Sequence, residues 1–560
     1  MSARTLLVLA LVLPLAGCTP SHSEAAAPPP TPGLIPFASC AELTTELRAA
    51  AKASVDAQGL HRAHPMIGVP PLFTSASPDG PDIVKSDGRR IVTLFGGDLR
   101  VVDASTKRVT GTMGLGPGGE SDLLIAGDRA LVLRQGPFPS AGNGSSYTAT
   151  ELVLVDISGA PRILSRYRTS ATLLDARQVG DTTRIALNSL ARIKLPMLIG
   201  ERDDTVMLAE NRKAIDAVGA DAWLPEWTTI TSEPGREVIE KGKVPCEAVS
   251  RPSSYSGRSV LSTLTIPLAS ASRLDGGSPV AVVAEGGSTI TPTGLYLTNG
   301  SDSETQIFRL DGPDGKPPVA RASATVPGPV VDLDALSEWQ GHVRFATADQ
   351  TTRRLVVRVL RADNLRRAGQ VDEIGVVRDG VQMRFIGQRG YVRAARESEA
   401  VHILDLADPS KPRLAGTLPM PGSGITVQEV GPGRLAGVGH RVLPGGGMSD
   451  ALVSLFDPAA PRQVARHEVP GGTSKAVGDS RAMLWWPSSQ LLAVPIDRQS
   501  ESTLVLRVTG DTLTVVRELD TPRVVRTLVV GDELWTVSDR DVRAFRLSTL
   551  DPVATVTYQA

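Results

Sequence analysis

From residue 82 to the C-terminus the chain repeats one pattern of apolar and polar positions, in short alternating runs that each stop at a turn. Alternation with a period of two puts successive side chains on opposite faces, so the runs predict half-buried β-strands. One kind of run follows a turn directly. Examples are Ser86-Asp87-Gly88-Arg89-Arg90-Ile91-Val92, Gly127-Asp128-Arg129-Ala130-Leu131-Val132, Gly387-Gln388-Arg389-Gly390-Tyr391-Val392 and Gly531-Asp532-Glu533-Leu534-Trp535-Thr536-Val537. A second kind ends in aspartate: Leu99-Arg100-Val101-Val102-Asp103, Leu152-Val153-Leu154-Val155-Asp156, Val401-His402-Ile403-Leu404-Asp405 and Leu452-Val453-Ser454-Leu455-Phe456-Asp457. Several then enter a proline turn, as in Asp408-Pro409-Ser410-Lys411-Pro412 and Asp457-Pro458-Ala459-Ala460-Pro461. Antiparallel units recurring every roughly forty to sixty residues cannot bury their apolar faces alone, whereas in a ring each covers the next. The pattern predicts an all-β chain forming a single β-propeller of about seven or eight blades, with eight preferred because one blade carries a large insertion. Strands around 542–558 are expected to finish the last blade and to complete closure with chain from near the first. A pair of open sandwiches is the competing architecture, and the regular spacing counts against it.

Three stretches break the pattern. Arg4 precedes an apolar segment over 6–13, too short to span a bilayer, and a small-residue cleavage region follows, so residues 1–18 are expected to be an export signal. Residues 19–36, rich in Pro, Ala and Ser, are expected to be a disordered tether. Within 37–81, Ser39 and Glu42 make a capping box, and Cys40, Leu43 and Leu47 share one helical face, which predicts a short helix ahead of a lead-in to the propeller at 82–560. The last break is an insertion at 190–252. Leu208, Ile215 and Val218 fall at helical spacing and Trp223-Leu224-Pro225-Glu226-Trp227 marks the exit, so a second helix is expected, decorating one end of the ring.

Composition changes this picture little. At 41% hydrophobic and 21% charged the chain is globular, and its 54 glycines and 42 prolines suit many turns and no helical bundle. A formal net charge of -1 gives no reason to expect nucleic acid as a partner, so any binding patch is local. The cysteines say more. Leu15-Ala16-Gly17-Cys18 resembles the bacterial lipobox, which implies a diacylglyceryl group on Cys18, removal of the preceding peptide and acylation of the new amino terminus. Several acyl chains would hold the protein to a membrane where one binds only marginally. A plain secretory signal with an incidental cysteine is the alternative. Cys40 and Cys246, an even pair in an exported chain, are expected to form a disulfide, with two buried free thiols as the alternative.

Four local matches carry a resemblance to a known group. They are Asp82-Ile83-Val84-Lys85-Ser86-Asp87-Gly88, the insertion residues Asn211-Arg212-Lys213 with Trp223-Leu224-Pro225-Glu226-Trp227, the segment Val244-Pro245-Cys246, and Arg384-Phe385-Ile386-Gly387-Gln388-Arg389-Gly390-Tyr391-Val392. These resemble the D-I-V-K-T-D-G, W-L-P, cysteine and R-F-I-G-x-R-G-Y-V segments of secreted bacterial and archaeal proteins with a C-terminal β-propeller domain, a group sometimes described as distant relatives of the methanol dehydrogenase propeller. The resemblance spans nearly everything after Ser39 and implies fold and export, without an established activity. It departs at Thr74-Ser75-Ala76-Ser77-Pro78-Asp79-Gly80-Pro81, which lacks the group's T-N-x-Q and V-D-E residues.

Candidate chemistry is sparse. Quinone-dependent dehydrogenases share the propeller shape, and their blades resemble one another through a tryptophan docking motif A-x-D-x-x-T-G-x-x-x-W. The nearest match, Val102-Asp103-Ala104-Ser105-Thr106, lacks its tryptophan, and 6 tryptophans, two of them in the insertion, cannot repeat the motif around a ring. No cofactor is therefore expected. Gly114-Leu115-Gly116-Pro117-Gly118-Gly119 matches the dinucleotide fingerprint by letter, but strand follows where a helix N-terminus is needed, so an inter-blade loop is expected. Of 7 histidines only His61 and His64 are close, too few ligands for zinc, and no metal is expected. No H-E-x-x-H, G-x-S-x-G or Walker loop occurs, so no catalytic residue is named. Asp103, Asp156, Asp405 and Asp457 at strand ends suit turn capping better than calcium. Trp485 and Trp486, being adjacent, point to opposite faces, so at most one can stack on a ligand.

The expected function is a membrane-tethered, extracytoplasmic lipoprotein acting as a binding or scaffold module for an envelope protein or glycan. The alternative is a propeller enzyme, a hydrolase or oxidoreductase, with a site at the channel mouth contributed by different blades. Carboxylates or histidines converging at that mouth would favour the enzyme, and an apolar or glycine-lined channel the binding module.

Overall fold

Alternation builds the sheets, and there are more of them than the spacing suggests. A computed structural model describes residues 33–60, 79–116, 118–136, 149–196, 203–276, 280–301, 303–312, 316–331, 335–349, 351–372, 374–377, 381–393, 400–420, 423–431, 433–443 and 448–558. Among the described residues nine sheets of four or more strands follow one another along the chain, seven of four strands and two of six, besides the small pair Val55–Asp56 with Gly59–Leu60. Their innermost strands are Val84–Ser86, Ser121–Ala126, Thr172–Val179, Ser288–Ile290, Ser337–Trp339, Gln382–Ile386, Ser423–Glu429, Leu484–Trp486 and Arg526–Val530, and the blades are numbered one to nine in that order.

Each blade hides its apolar face behind the next. Leu94 meets Val132 between blades one and two, Leu152 meets Ile185 between two and three, and Ala186 meets Leu297 between three and four. Tyr296 and Phe345, Val357 and Val392, Ile403 and Val427, Val453 and Leu492, and Val505 and Leu534 continue the sequence. A ninth core joins Trp535 of blade nine to Ile91 of blade one and closes the ring. The fold is a β-propeller of nine blades, which corrects the expectation of eight. Four inner strands, Val84–Ser86, Ser288–Ile290, Ser337–Trp339 and Leu484–Trp486, are three residues long and too short to register as alternating runs, so the repeat seemed longer than it is.

The C-terminal strands finish blade nine and close the ring against blade one. Blade one is built from strands within 84–114 and blade nine from strands within 526–557, so the chain ends exchange no strand and closure rests on side chains. Lys107 reaches Glu533 at 2.8 Å, and the Arg100 guanidinium lies 4.9 Å from the centre of the Tyr558 ring.

The insertion is not a decoration on one end of the ring. Its hairpin, Glu226–Glu233 with Arg236–Lys243, continues blade two outward from the strand Arg162–Thr169, and Val249–Arg251 joins the outer part of blade three. The expected tether also stops short of residue 36. Leu34 is buried between blades three and four, and Ile35–Pro36 pairs with Arg251 and Ser250 as the outermost strand of blade three. Proline at a sheet edge gives up no ladder bond, which is how a proline-rich stretch becomes strand.

The two helices close over the same flank. In α1, Cys40–Ser54, the Ser39 side chain accepts from the Glu42 N–H and the Glu42 carboxylate accepts from the Ala38 N–H, a capping box whose return bond falls one residue before the cap. Leu43, Leu47 and Ala51 of α1 pack against Ile215 of α2, Asp204–Ala217, and against Trp223, Leu224 and Val244. Trp223 donates its indole N–H to the Gly257 carbonyl. A disulfide joins Cys40 to Cys246 across a sequence separation of 206, with Cα atoms 5.2 Å apart. Among the described residues no helix is long and apolar enough to cross a membrane.

Candidate functional site at the channel mouth

The channel is reached by a stretch of chain that precedes blade one. The free edges of the inner strands face the channel, and residues 79–83 run along two of them. The Asp79 carbonyl accepts from the Gln178 N–H of blade three, and Asp82 exchanges both backbone hydrogen bonds with Leu123 of blade two. The chain then bends at Ile83, whose carbonyl accepts from the Leu94 N–H, and enters the inner strand of blade one. Asp79, Gly80 and Pro81, where the sequence departs from its resemblance group, are thus part of the channel lining.

This path delivers Asp82 to a charged cluster drawn from four blades. Arg526, at the head of the inner strand of blade nine, is almost fully buried and donates Nε to both Asp82 carboxylate oxygens at 2.9 Å. Its Nη2 bonds Asp479 at 2.6 Å, just ahead of blade eight. Arg481 donates Nε to Asp479 at 3.0 Å and Nη1 to the Pro81 carbonyl at 3.2 Å. The same Nη1 stands 3.6 Å from both Asp82 and Asp122, the latter on the inner strand of blade two.

The electrostatics separate these groups. Burial works against the Asp479 charge, but the Arg481 hydrogen bond and the charges of Arg526 and Arg481 outweigh it and hold the carboxyl below its usual range. Asp122 goes the other way: burial raises it, Asp82 and Asp479 add to the rise, and the arginines only partly oppose it. Lys85, two residues into blade one's lead strand, is lowered by burial and by Arg481 against the pull of Asp82 and Asp79. One carboxyl pushed up and one ammonium pushed down at a channel mouth is the arrangement that acid–base chemistry uses. The arginine-bound pair Asp82 and Asp479 is instead committed to joining blades eight, nine and one.

Two of the motifs that carry the family resemblance, the first and the fourth, prove to be stitches between blades. In Asp82-Ile83-Val84-Lys85-Ser86-Asp87-Gly88, Asp82 binds Arg526, Val84 lies in the closing core, Asp87 caps a turn by accepting from the Arg89 and Arg90 N–H groups, and Gly88 supplies φ of 85°. Arg90 bonds Asp87 and then Asp128 and the Ile157 carbonyl of blade two. In the fourth motif Phe385 lies 4.9 Å under the Arg344 guanidinium of blade five, while Arg389 donates to the Pro458 carbonyl of blade seven at 2.7 Å.

Other sequence candidates resolve into structure. The carboxylates of Asp103, Asp156, Asp405 and Asp457 accept from Ser105, Ser158, Ala407 and Ala459 N–H groups, capping the turns they precede. Hydrogen bonds from Ser105 and Thr106 hold the Asp103 carboxyl at about 2. The glycine-rich loop joins blades one and two and wraps Arg134, which donates to the Leu115 and Gly116 carbonyls at 3.2 and 2.8 Å. Trp485 packs partly buried against the core between blades seven and eight. Cys18, His61 and His64 lie outside the described residues. Among the described residues no group of three or more His, Cys, Asp and Glu is placed to hold a metal. A separate cavity of about 290 Å³ lies between blades two and three, lined by Tyr167, Thr263, Leu264, Arg273 and Asp275. Sequence reading found neither this cavity nor the channel cluster. Arg526 and Asp82 are 444 residues apart, and no linear signal relates them.

A family model described as Beta propeller domain matches residues 76–550. The chain is 23% identical over 224 residues to an uncharacterized protein of Methanocaldococcus jannaschii, covering 39% of this chain and 35% of that one. It is 21% identical over 241 residues to an uncharacterized protein of Archaeoglobus fulgidus, covering 43% and 37%. The matched region therefore spans little more than a third of either relative. Among solved structures, the computationally designed Ika8 protein aligns over 79% of this chain and 100% of its own, at 10% identity and a TM-score of 0.35, a likeness too weak to bear on function.

Proposed function

The chain belongs to the Beta propeller domain family, and from that premise we propose that it is a binding or scaffold module, held outside the cytoplasm by lipid on Cys18 and engaging an envelope protein or glycan. Three carboxylates do converge at the channel mouth, the outcome that favours an enzyme. Two of them, however, are spent on Arg526 and Arg481, and that commitment is what carries the binding reading. The Cys40–Cys246 disulfide is compatible with an oxidising compartment, and the module's outer surface is enlarged by the insertion hairpin.

The binding reading is tested by titrating the mature protein, purified in detergent, against solubilised envelope glycan and envelope protein. Saturable binding of one fraction is expected, and purely linear uptake of both would contradict it. The anchor is tested separately by detergent phase separation. The intact protein should enter the detergent phase and Cys18→Ser should remain in the aqueous phase, so that a Cys18→Ser variant still partitioning with detergent would remove the anchor.

A second reading, a hydrolase or oxidoreductase, is favoured by the opposed shifts of Asp122 and Lys85. It requires a turnover abolished by both Asp122→Asn and Lys85→Met.

A further inference from the structure

Blade two is six strands wide, and one row of cross-strand neighbours runs Arg134, Glu151, Arg168, Thr228, Lys241. The adjacent row runs Val132, Val153, Arg166, Ile230, Ile239. A period of two puts both rows on one face, and Val132 and Val153 fix it as the face turned to blade one. Blade one has only four strands, so the outer members of each row extend past its width as a ledge. Ile239 on that ledge is 58% exposed.

Cations outnumber carboxylates on this face, Arg134, Arg166, Arg168, Lys241 and Lys243 against Glu151, Glu226 and Glu237, and the excess surrounds Glu151. Glu151 is fully buried and accepts from Arg134 at 2.6 Å, Arg168 at 2.8 Å and Arg166 at 3.2 Å. Three guanidiniums share one carboxylate, and Lys241 adds a fourth cation further out. Among the described residues Arg166 and Arg168 pair with no other carboxylate, and Glu120, exposed at the head of the inner strand, pairs with neither. The outer strand of blade one, Arg108–Gly114, contains no Asp or Glu, and neither does the sequence of the connection 137–148. The Arg166 and Arg168 side chains are 18% and 39% exposed, which leaves their remaining N–H groups open to a ligand from solvent.

We propose that Arg166 and Arg168 form an oxyanion site on the outer face of blade two, taking a phosphate or carboxylate group in their guanidinium forks, with Lys241 as a third cation and the Thr228 hydroxyl between them. Planar guanidiniums bind such groups bidentately, and a cluster with surplus positive charge around a buried carboxylate gains most from one more anion. The site lies on the outer part of blade two and does not rest on the channel, so its failure leaves the binding reading standing.

The experiment is calorimetric titration of the full-length protein with inorganic phosphate, and separately with glucuronate, at constant ionic strength balanced by chloride. Saturable binding of either is expected: phosphate alone would assign a phosphoryl ligand, and glucuronate alone an acidic sugar. Loss of one charge-assisted contact should weaken binding roughly tenfold in Arg168→Gln. Lys241→Gln leaves every partner of Glu151 in place and should weaken it severalfold, so it decides the matter if Arg168→Gln does not fold. No saturable binding of either anion, or affinity unchanged in both variants, would overturn the site.

Discussion

At the scale of single residues, the folded state depends on a few charged side chains placed where two blades meet. Asp479 is one. Its carboxyl lies below the ordinary value of 3.8 in the folded protein, so it contributes stability that is complete above that pH and is lost as the pH falls through the lower folded value. Asp479→Asn should therefore melt at a lower temperature than the parent at pH 7, and the gap should narrow below about pH 3.8. A gap constant with pH would show that the ion pairs are not its cause. Gly118 makes a steric demand instead: a Cβ there would lie 1.8 Å from an Arg134 nitrogen. Gly118→Ala should destabilise by about 1–3 kcal/mol in a urea melt, the usual range for forced overpacking, and no change would mean that the loop moves freely. The capping roles of Asp103 and Asp457 were legible because their partners lie within three residues along the chain. The roles of Arg481 and Arg526 were not, since their partners are contributed by other blades.

At the scale of elements, periodicity and caps located what local physics decides. The helix after Ser39 and the helix containing Ile215 follow from capping and spacing, and both pack on the faces those spacings imply. Placement was harder to read. The hairpin 226–243 alternates like any strand pair, and only the free edge of Arg162–Thr169 explains why it extends blade two instead of standing apart. The disulfide fixes this flank by linking α1 to the segment that follows the hairpin. Reduction, or the paired change Cys40→Ser with Cys246→Ser, should lower stability by several kcal/mol, about 5 in the chain-entropy model and less if the unfolded chain keeps structure. Hydrogen exchange should then quicken in Cys40–Ser54 more than in blades five to seven. Uniform quickening would indicate that the staple acts on the whole ring.

At the scale of the whole molecule, the claim on which the rest depends is a single ring of nine blades, closed without an exchanged strand. Hydrophobic contact alone would hold blade nine to blade one no better than any other pair. The cluster at the channel mouth adds a buried ion pair between residues that meet only if the ring is shut. Alternating runs made the blades legible one at a time, but four very short inner strands concealed the number, and closure is a property of three dimensions. The direct measurement is a double-mutant cycle by urea unfolding on Arg526→Gln and Asp82→Asn. Each single change should cost a few kcal/mol and the pair should show a coupling of about 1–3 kcal/mol, as contacting buried partners do. Effects that add to within about 0.5 kcal/mol, as independent sites do, would contradict a closed ring.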